Sequence, residues 1–411
     1  MIDFLGKTIQ CGCGKVHKIP AIEIVCGRKL GKLSDFFDDA IFVADQNTVL
    51  LAEIPTDDVF VFTGPERVMA TMENVQRVVD FLKGKNYRQI VSIGSGSLTD
   101  IARYSAFLCK VDFSCFPTAP SVDAYTSSVA PLIVEGVKKT LDAKIPRKIL
   151  IDTDVIVNSP IDLLRAGIGD ISSKVTARLD WVMSNFLTGE QICDFVWDDI
   201  KDLLKLIMKD VRKILQRDES AVQNLMKAQL ISGLNIAITG NSRPASGADH
   251  LISHVLEMYQ ECRGHLPLFH GLQVAMGTYI SLKAYDALFQ DLRFKKSQIL
   301  LKDRKKLLVD FFGQQIANEF EKTYLNKKRV ETINVDNIRR RLQELYLEYR
   351  PILESSLLEM GVRELFSRYD RDFVKSAIVV STMIRNRYTI LDLYDQLDIL
   401  DDFCDWVTEQ F

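Results

Sequence analysis

The chain has 411 residues, 47% hydrophobic and 26% charged, enough for two domains with a large core and unlike the composition of disordered or fibrous proteins. With 52 Lys and Arg against 55 Asp and Glu, its net charge of -3 supplies no broad basic field, so no nucleic acid or anionic membrane is expected and a small molecule is the expected partner. No apolar run approaches the ~18 residues of a membrane span and no signal segment opens the chain, so the expected address is cytoplasmic.

Near the start, Cys11-Gly12-Cys13 with His17 nearby lacks the Cys-x2-Cys pairs of a structural zinc site and reads as a loop or hairpin. The eight cysteines, spread from Cys11 to Cys404 without a regular framework, read as reduced, mostly buried thiols with no disulfides. Strand-like runs follow at Ile22 to Val25, Ile41 to Ala44, Val59 to Phe62, Ile90 to Ile93, Phe113 to Phe116 and Ile149 to Ile151. Between the third and fourth, Glu66 to Lys83 carries apolar residues at helical spacing. Strands alternating with helices of these lengths predict a mainly parallel sheet covered on both faces, with ligands at the carboxyl ends of its strands.

The turn after the fourth strand is Gly94-Ser95-Gly96-Ser97-Leu98-Thr99-Asp100, where small residues let phosphate oxygens approach backbone N–H groups at a helix N-terminus. It is a candidate pyrophosphate cradle, although it is not Gly-x-Gly-x-x-Gly and a tight turn would explain it as well. Asp45 ends the second strand, placed either to accept a hydrogen bond from an adenosine ribose 2'-OH or to cap the next turn. The run Pro117 to Ser128, dense in hydroxyls and containing Asp123, reads as a ligand-holding loop or as turn chemistry.

Asn158-Ser159-Pro160 breaks the pattern and sets the expected boundary, with an α/β domain at 1–160 and a helical one at 161–411. Amphipathic stretches at Asp198 to Leu215, Ala221 to Ile238 and Asn337 to Tyr349 predict long helices, and the last helices carry no readable chemical signal. The basic run Lys295 to Lys306 alternates with leucines and reads as a solvated helix face.

Four of the five histidines fall between Gly240 and Gly277. A helix starting near Ser246 puts His250 and His254 on one face, and His270 follows on a second helix opened by Pro267. Imidazoles from two helices can meet at one metal ion, and a catalytic site of that kind takes an anionic third ligand, for which Asp170 after Gly167-Ile168-Gly169 is the candidate.

Gly-Ser-Gly-Ser-x-x-Asp100, Pro-Thr-Ala-Pro-Ser-Val-Asp123, Gly-Ile-Gly-Asp170, Ser-Gly-Ala-Asp-His250-x3-His254 and His270-Gly, in that order, resemble the sn-glycerol-1-phosphate dehydrogenases of the iron-containing alcohol dehydrogenase and dehydroquinate synthase-like superfamily. The resemblance implies a Rossmann-like nucleotide-binding α/β domain followed by an all-α domain, an NAD(P)H-linked reduction of dihydroxyacetone phosphate, and a place in phospholipid metabolism. It implies Asp170, His250 and His270 as ligands of one divalent ion, Zn2+ or Ni2+. It implies cofactor contacts from Gly96, Ser97, Leu98, Thr99, Asp100, Thr118, Ala119, Pro120, Ser121 and Ser127, with Gly94 and Asp45 added from their strand ends, and substrate contacts from Asp123, Asp170 and His254. Position 249 is Asp where archaeal members carry Glu.

On chemical grounds His254, one helical turn from a ligand, is the candidate proton relay, and Arg243 and Lys174 are the candidate cations for a substrate phosphate. Asp45 favours NAD over NADP. A homo-oligomer of two or more copies is expected. The alternatives are a glycerol or other alcohol dehydrogenase, a carbocycle synthase of the dehydroquinate type, and a nucleotide-binding regulator without catalysis.

Overall fold

The computed structural model describes residue 2 and residues 4–64 and 66–411. It divides into two compact units: Met1–Gly167 with Asp198–Leu203 and Arg212–Asn241, and Ile168–Trp197 with Leu204–Val211 and Ser242–Phe411.

In the first unit, a hairpin of β1 (Thr8–Gln10) and β2 (Val16–Lys18) precedes a six-stranded parallel sheet of β3 (Glu23–Gly27), β4 (Ala40–Asp45), β5 (Val59–Phe62), β6 (Gln89–Gly94), β7 (Asp112–Pro117) and β10 (Lys148–Asp152). The sheet order is β3-β10-β7-β6-β4-β5, and every pairing is parallel. All six strand-like runs of the sequence are in it. Strands buried on both faces need apolar residues at consecutive positions, which is why Ile41 to Ala44 reads as an unbroken run and Ile90 to Ile93 is interrupted only by the small Ser92. Phe42, Val91, Phe116 and Leu150 meet in one apolar cluster with Leu33 and Phe37.

Helix α1 is Met72–Leu82, shorter at its start than the spacing from Glu66 predicts. The Thr71 hydroxyl accepts from the Asn74 N–H at 3.1 Å and caps the helix there. Helix α2 (Gly96–Cys109) follows β6, and α3 (Thr153–Val157) follows β10. A second hairpin, β8 (Val129–Val134) with β9 (Val137–Asp142), escaped the sequence reading. Its turn residues Glu135 and Gly136 have φ of 54° and 79°, the two left-handed conformations of a two-residue turn, and Glu is not the usual signal for that geometry.

Helix α4 (Ile161–Thr188) carries the chain from the first unit into the second, followed by α5 (Phe195–Asp198), α6 (Lys201–Lys209) and α7 (Val211–Leu215). The single helix expected from Asp198 to Leu215 is therefore broken twice, between Asp198 and Lys201 and at Asp210, whose N–H bonds to the Leu206 and Ile207 carbonyls. Helix α8 (Glu219–Thr239) falls in the first unit although the sequence pattern put it beyond the 160 boundary. It packs against α3, β2 and the Asp123–Thr126 turn: Thr126 Oγ1 donates to the Leu230 carbonyl at 2.6 Å, and a Cβ at Gly233 would lie 2.1 Å from the Asp123 carbonyl oxygen.

The second unit is helical. Helix α9 (Ala248–Glu261) packs on α10 (His270–Phe289), and α11 (Leu301–Leu325), α12 (Val335–Glu359), α13 (Val362–Phe366), α14 (Arg371–Ser381), α15 (Ile390–Gln396) and α16 (Leu400–Thr408) complete it. Helix α12 runs well past Tyr349 and through Pro351. In the basic run, Lys295, Lys296, Lys302 and Lys306 are exposed as expected, but Arg304 is buried and paired with Asp395.

Two glycines set how closely α4, α9 and α10 approach. A Cβ at Gly169 would stand 2.2 Å from the Gly271 carbonyl oxygen, and one at Gly277 would stand 2.1 Å from that of Asp249. Backbone cannot yield to a methyl group as a flexible side chain can. Gly277→Ala is therefore expected to lower stability by about 1–3 kcal/mol, the cost of overpacking a close-packed core, measured as a drop in the denaturant midpoint.

Candidate metal centre and nucleotide crevice

Asp170 on α4, His250 on α9 and His270 on α10 come together in the second unit, each offering one ligand atom within 4.8 Å of the others. Asp170 is 1% exposed. Its Oδ1 accepts from Lys174 Nζ at 3.0 Å and lies 3.5 Å from His250 Nε2, while Oδ2 is buried with no hydrogen-bond partner. A buried polar atom without a partner costs about 1–3 kcal/mol, more when charged, unless a bound cation satisfies it. One carboxylate and two imidazoles suit a borderline divalent transition ion better than Ca2+ or Mg2+. These residues therefore fit such an ion.

The surrounding charges are arranged to keep the carboxylate ionised. Burial alone would raise the Asp170 pKa, but the Lys174 ammonium, with His250 and His270, holds it well below the usual carboxylate range. His250 Nδ1 lies 2.6 Å from Asp249 Oδ1, so Nδ1–H donates to the carboxylate and Nε2 keeps its lone pair on the Asp170 side. Asp249 is fixed in turn by the Thr176 hydroxyl at 2.7 Å and the Gly247 N–H at 3.1 Å. His270 Nδ1 faces Ser253 Oγ at 3.4 Å and Glu257 Oε2 at 3.7 Å. Each imidazole thus has its Nδ1 beside an oxygen that orients the ring, the arrangement usual for metal-ligating histidines. His254, one turn along α9, stacks on His270 with ring centroids 5.9 Å apart and lies 6.3 Å from the His250 ring.

Neither cation singled out for a phosphate has that geometry. Lys174 pairs with Asp170 and donates to the Ala245 carbonyl, and Arg243 holds Glu190 through Nε and Nη2, with a further bond from Nη2 to the Tyr388 carbonyl. Three further residues, Asp180, Arg387 and Glu257, stand in no local motif. Asp180 accepts from Tyr285 Oη, the Ile390 N–H and the Ala248 N–H, which seats the first turn of α9. Burial, with Asp249 nearby, pushes its pKa up to about 7. Arg387, lowered to about 9 chiefly by burial, clamps Ser242 and Ser246 in the approach to α9. Glu257 orients His270. Their partners lie up to 210 residues away in the chain, beyond any local pattern.

The first unit has a candidate binding edge of its own. From β4 the chain turns to β5 on one side and then to β6 on the other, so the carboxyl ends of β4 and β6 flank a topological switch point. Asp45 ends β4, and Gly94 ends β6 opposite Pro117 of β7. The Thr118 N–H bonds to the Gly94 carbonyl at 3.2 Å, joining the Gly94–Gly96 turn to the Thr118–Ser121 loop, and Ser97 and Leu98 lie in the first turn of α2. Asp45 Oδ1 accepts from the Asn47 and Thr48 N–H groups at 2.9 Å, which is the capping role.

Thr99 and Asp100 face inward. Thr99 accepts from Ser92 Oγ at 3.5 Å, and Asp100 pairs with the fully buried Arg103, which also donates to the carbonyls of Ala124, Tyr125 and Val129. The Tyr125 hydroxyl donates to the Ala119 carbonyl, Gln229 donates to that of Pro120, and Ser127 Oγ accepts from the Val129 N–H. Ser121 is buried, and Asp123 accepts from Ser232 Oγ at 2.8 Å. No disulfide joins the cysteines, but only Cys115, Cys193 and Cys404 are buried, fewer than expected.

The iron-containing alcohol dehydrogenase family matches residues 43–160. A glycerol-1-phosphate dehydrogenase [NAD(P)+] of Geobacillus stearothermophilus is 31% identical over 298 residues, 68% of this chain and 74% of that protein. One from Geobacillus thermodenitrificans (strain NG80-2) is 36% identical over 199 residues, 48% of this chain and about half (49%) of the relative. Among solved structures, sulfoacetaldehyde reductase from Bifidobacterium kashiwanohense in complex with NAD+ shares the fold, with a TM-score of 0.61 at 14% identity over 96% of this chain and 99% of that one.

Two outcomes follow from the ring-orienting carboxylate. Asp249→Asn is expected to weaken divalent-metal affinity by about 10–100-fold in a chelator competition. In the metal-free protein, Asp170 and Asp249 outweigh burial and raise the His250 pKa, so protons compete with metal from above the ordinary imidazole value downward. Affinity should therefore fall steadily as pH is lowered through that range, and a pH-independent affinity would contradict the assignment.

Proposed function

Since the chain belongs to the glycerol-1-phosphate dehydrogenase family, within the iron-containing alcohol dehydrogenase superfamily, we propose that it reversibly reduces dihydroxyacetone phosphate to sn-glycerol 1-phosphate with NAD(P)H. The observation that carries the reading is the convergence of Asp170, His250 and His270, with Asp170 Oδ2 buried and without a hydrogen-bond partner. Residues 161–411 bind metal and substrate and residues 1–160 bind the nucleotide.

Asp170, His250 and His270 would hold one divalent ion, Zn2+ or Ni2+. When bound, the ion supplies Lewis acidity toward a carbonyl oxygen and the nicotinamide supplies hydride. The chain's own residues do the rest. Asp249 and Glu257 hold the two imidazoles in register, and Lys174 keeps Asp170 anionic. His254, stacked on His270, delivers the proton to the product oxygen as general acid and withdraws it in the reverse direction. His254 meets the substrate.

In the nucleotide crevice, the Gly94–Gly96 turn at the N-terminus of α2 presents backbone N–H groups to the pyrophosphate, aided by the helix dipole. Asp45 accepts from the adenosine ribose and disfavours a 2'-phosphate, which selects NAD over NADP.

The deciding assay follows NADH oxidation with dihydroxyacetone phosphate after reconstitution with Zn2+ or Ni2+, with chiral analysis of the product. Activity on unphosphorylated dihydroxyacetone alone would reassign the chain to a glycerol dehydrogenase, and a redox-neutral product would make it a carbocycle synthase. His254→Asn is expected to lower kcat by about 10²–10⁴-fold with metal content unchanged, the usual loss on removing a general acid. Asp45→Ala should narrow the NADH over NADPH preference in kcat/KM, and an unaltered ratio would remove Asp45 from cofactor selection.

A further inference from the structure

The N-terminal hairpin holds a second cluster of ligand-type side chains that the reaction does not use. The β1–β2 register pairs Ile9 with His17, and the turn between the strands is drawn tight by hydrogen bonds from the Cys11 N–H to the Lys15 carbonyl and from the Gly14 N–H to the Cys11 carbonyl, both 3.0 Å. Gly14, at φ +85°, takes the left-handed conformation that the reversal needs. The result folds Cys11 and Cys13 back over His17, and the two thiol sulfurs and an imidazole nitrogen lie within 4.8 Å of one another.

His17 is presented as a ligand would be. It is 4% exposed, and its Nδ1 lies 3.0 Å from the Ile238 carbonyl oxygen near the end of α8. Nδ1–H therefore donates to the backbone, which fixes the tautomer with the lone pair on Nε2. That Nε2 is 3.3 Å from Cys13 Sγ. In a tetrahedral zinc site, with Zn–S about 2.3 Å and Zn–N about 2.0 Å, sulfur and nitrogen ligands stand roughly 3.5–3.8 Å apart. An S–H to Nε2 hydrogen bond would account for the Cys13–His17 pair, but not for Cys11 closing on the same point.

We propose that Cys11, Cys13 and His17 form a site for a zinc-class divalent cation, separate from the Asp170 centre, that clasps the hairpin onto α8. Thiolates with an imidazole are a softer donor set than a carboxylate with two imidazoles and suit Zn2+. The Cys-x-Cys-x3-His spacing departs from the usual paired Cys-x2-Cys, so the motif shows itself only once the hairpin has formed. The assignment stands independently of the reaction proposed above.

Full-length protein purified without chelator is analysed for metal, then exchanged into Co2+ for absorption spectroscopy. The expected result is two metal equivalents per chain and a sulfur-to-cobalt charge-transfer band, which the thiol-free Asp170 centre cannot produce. Cys11→Ser with Cys13→Ser should remove the band and one equivalent, whereas His250→Ala with His270→Ala should remove the other equivalent and leave the band. Should the serine variant fail to fold, alkylation of the wild-type protein decides: Cys11 and Cys13 should resist labelling relative to the exposed Cys26 until a chelator is added. Wild-type protein with no thiolate band, or with Cys11 and Cys13 labelled as fast as Cys26 before chelation, overturns the proposal.

Discussion

A single buried carboxylate sets the terms for the helical unit. Asp170 is almost wholly shielded from water and remains ionised because the Lys174 ammonium, one helical turn away, stands 3.0 Å from its carboxylate. Removing one member of such a buried pair typically costs about 3–5 kcal/mol, since the other charge is left uncompensated. The helices that bring this group together must therefore be held to close tolerances. Gly169 and Gly277 do so by letting backbone touch backbone, and Asp180 and Arg387 do so by seating the start of α9 and the loop before it.

The two imidazoles beside Asp170 are themselves fixed from outside. His250 and His270 are each oriented through Nδ1, one by Asp249 and the other by Ser253 and Glu257, so the direction of each Nε2 lone pair is fixed before any ion arrives. Preorganisation of this kind lowers the reorganisation that binding would otherwise require. It also explains why Lys174 and Arg243, which look like phosphate ligands from their place in the sequence, are occupied elsewhere: each neutralises a carboxylate that its own unit buries at least in part.

In the α/β unit the organising group is a buried cation. Arg103 is fully enclosed, and its fork ties Asp100 to the carbonyls of Ala124, Tyr125 and Val129, so the segment after β7 is held against the start of α2. The small-residue turn at Gly94–Gly96 and the Thr118–Ser121 loop are thereby kept at the carboxyl edge of the sheet. That edge is where the strand order reverses.

Much of this was legible in the chain itself. Strands of a parallel sheet are mostly apolar at successive positions, so all six were visible as runs, and the crowding of histidines with an Asp following two glycines marked the three side chains that converge at the candidate metal centre. Tertiary structure decided what depends on distant partners. It moved α8 into the first unit, broke the helix at Asp210 and gave Arg243 to Glu190. It also recruited Arg387 and Ile390 from a region with no local chemical signal, and turned Cys11, Cys13 and His17 from an unremarkable spacing into neighbours. Local periodicity records which face of an element avoids water. It does not record which carboxylate, carbonyl or sulfur from elsewhere in the chain will meet a given side chain, because that is settled only when the backbone closes.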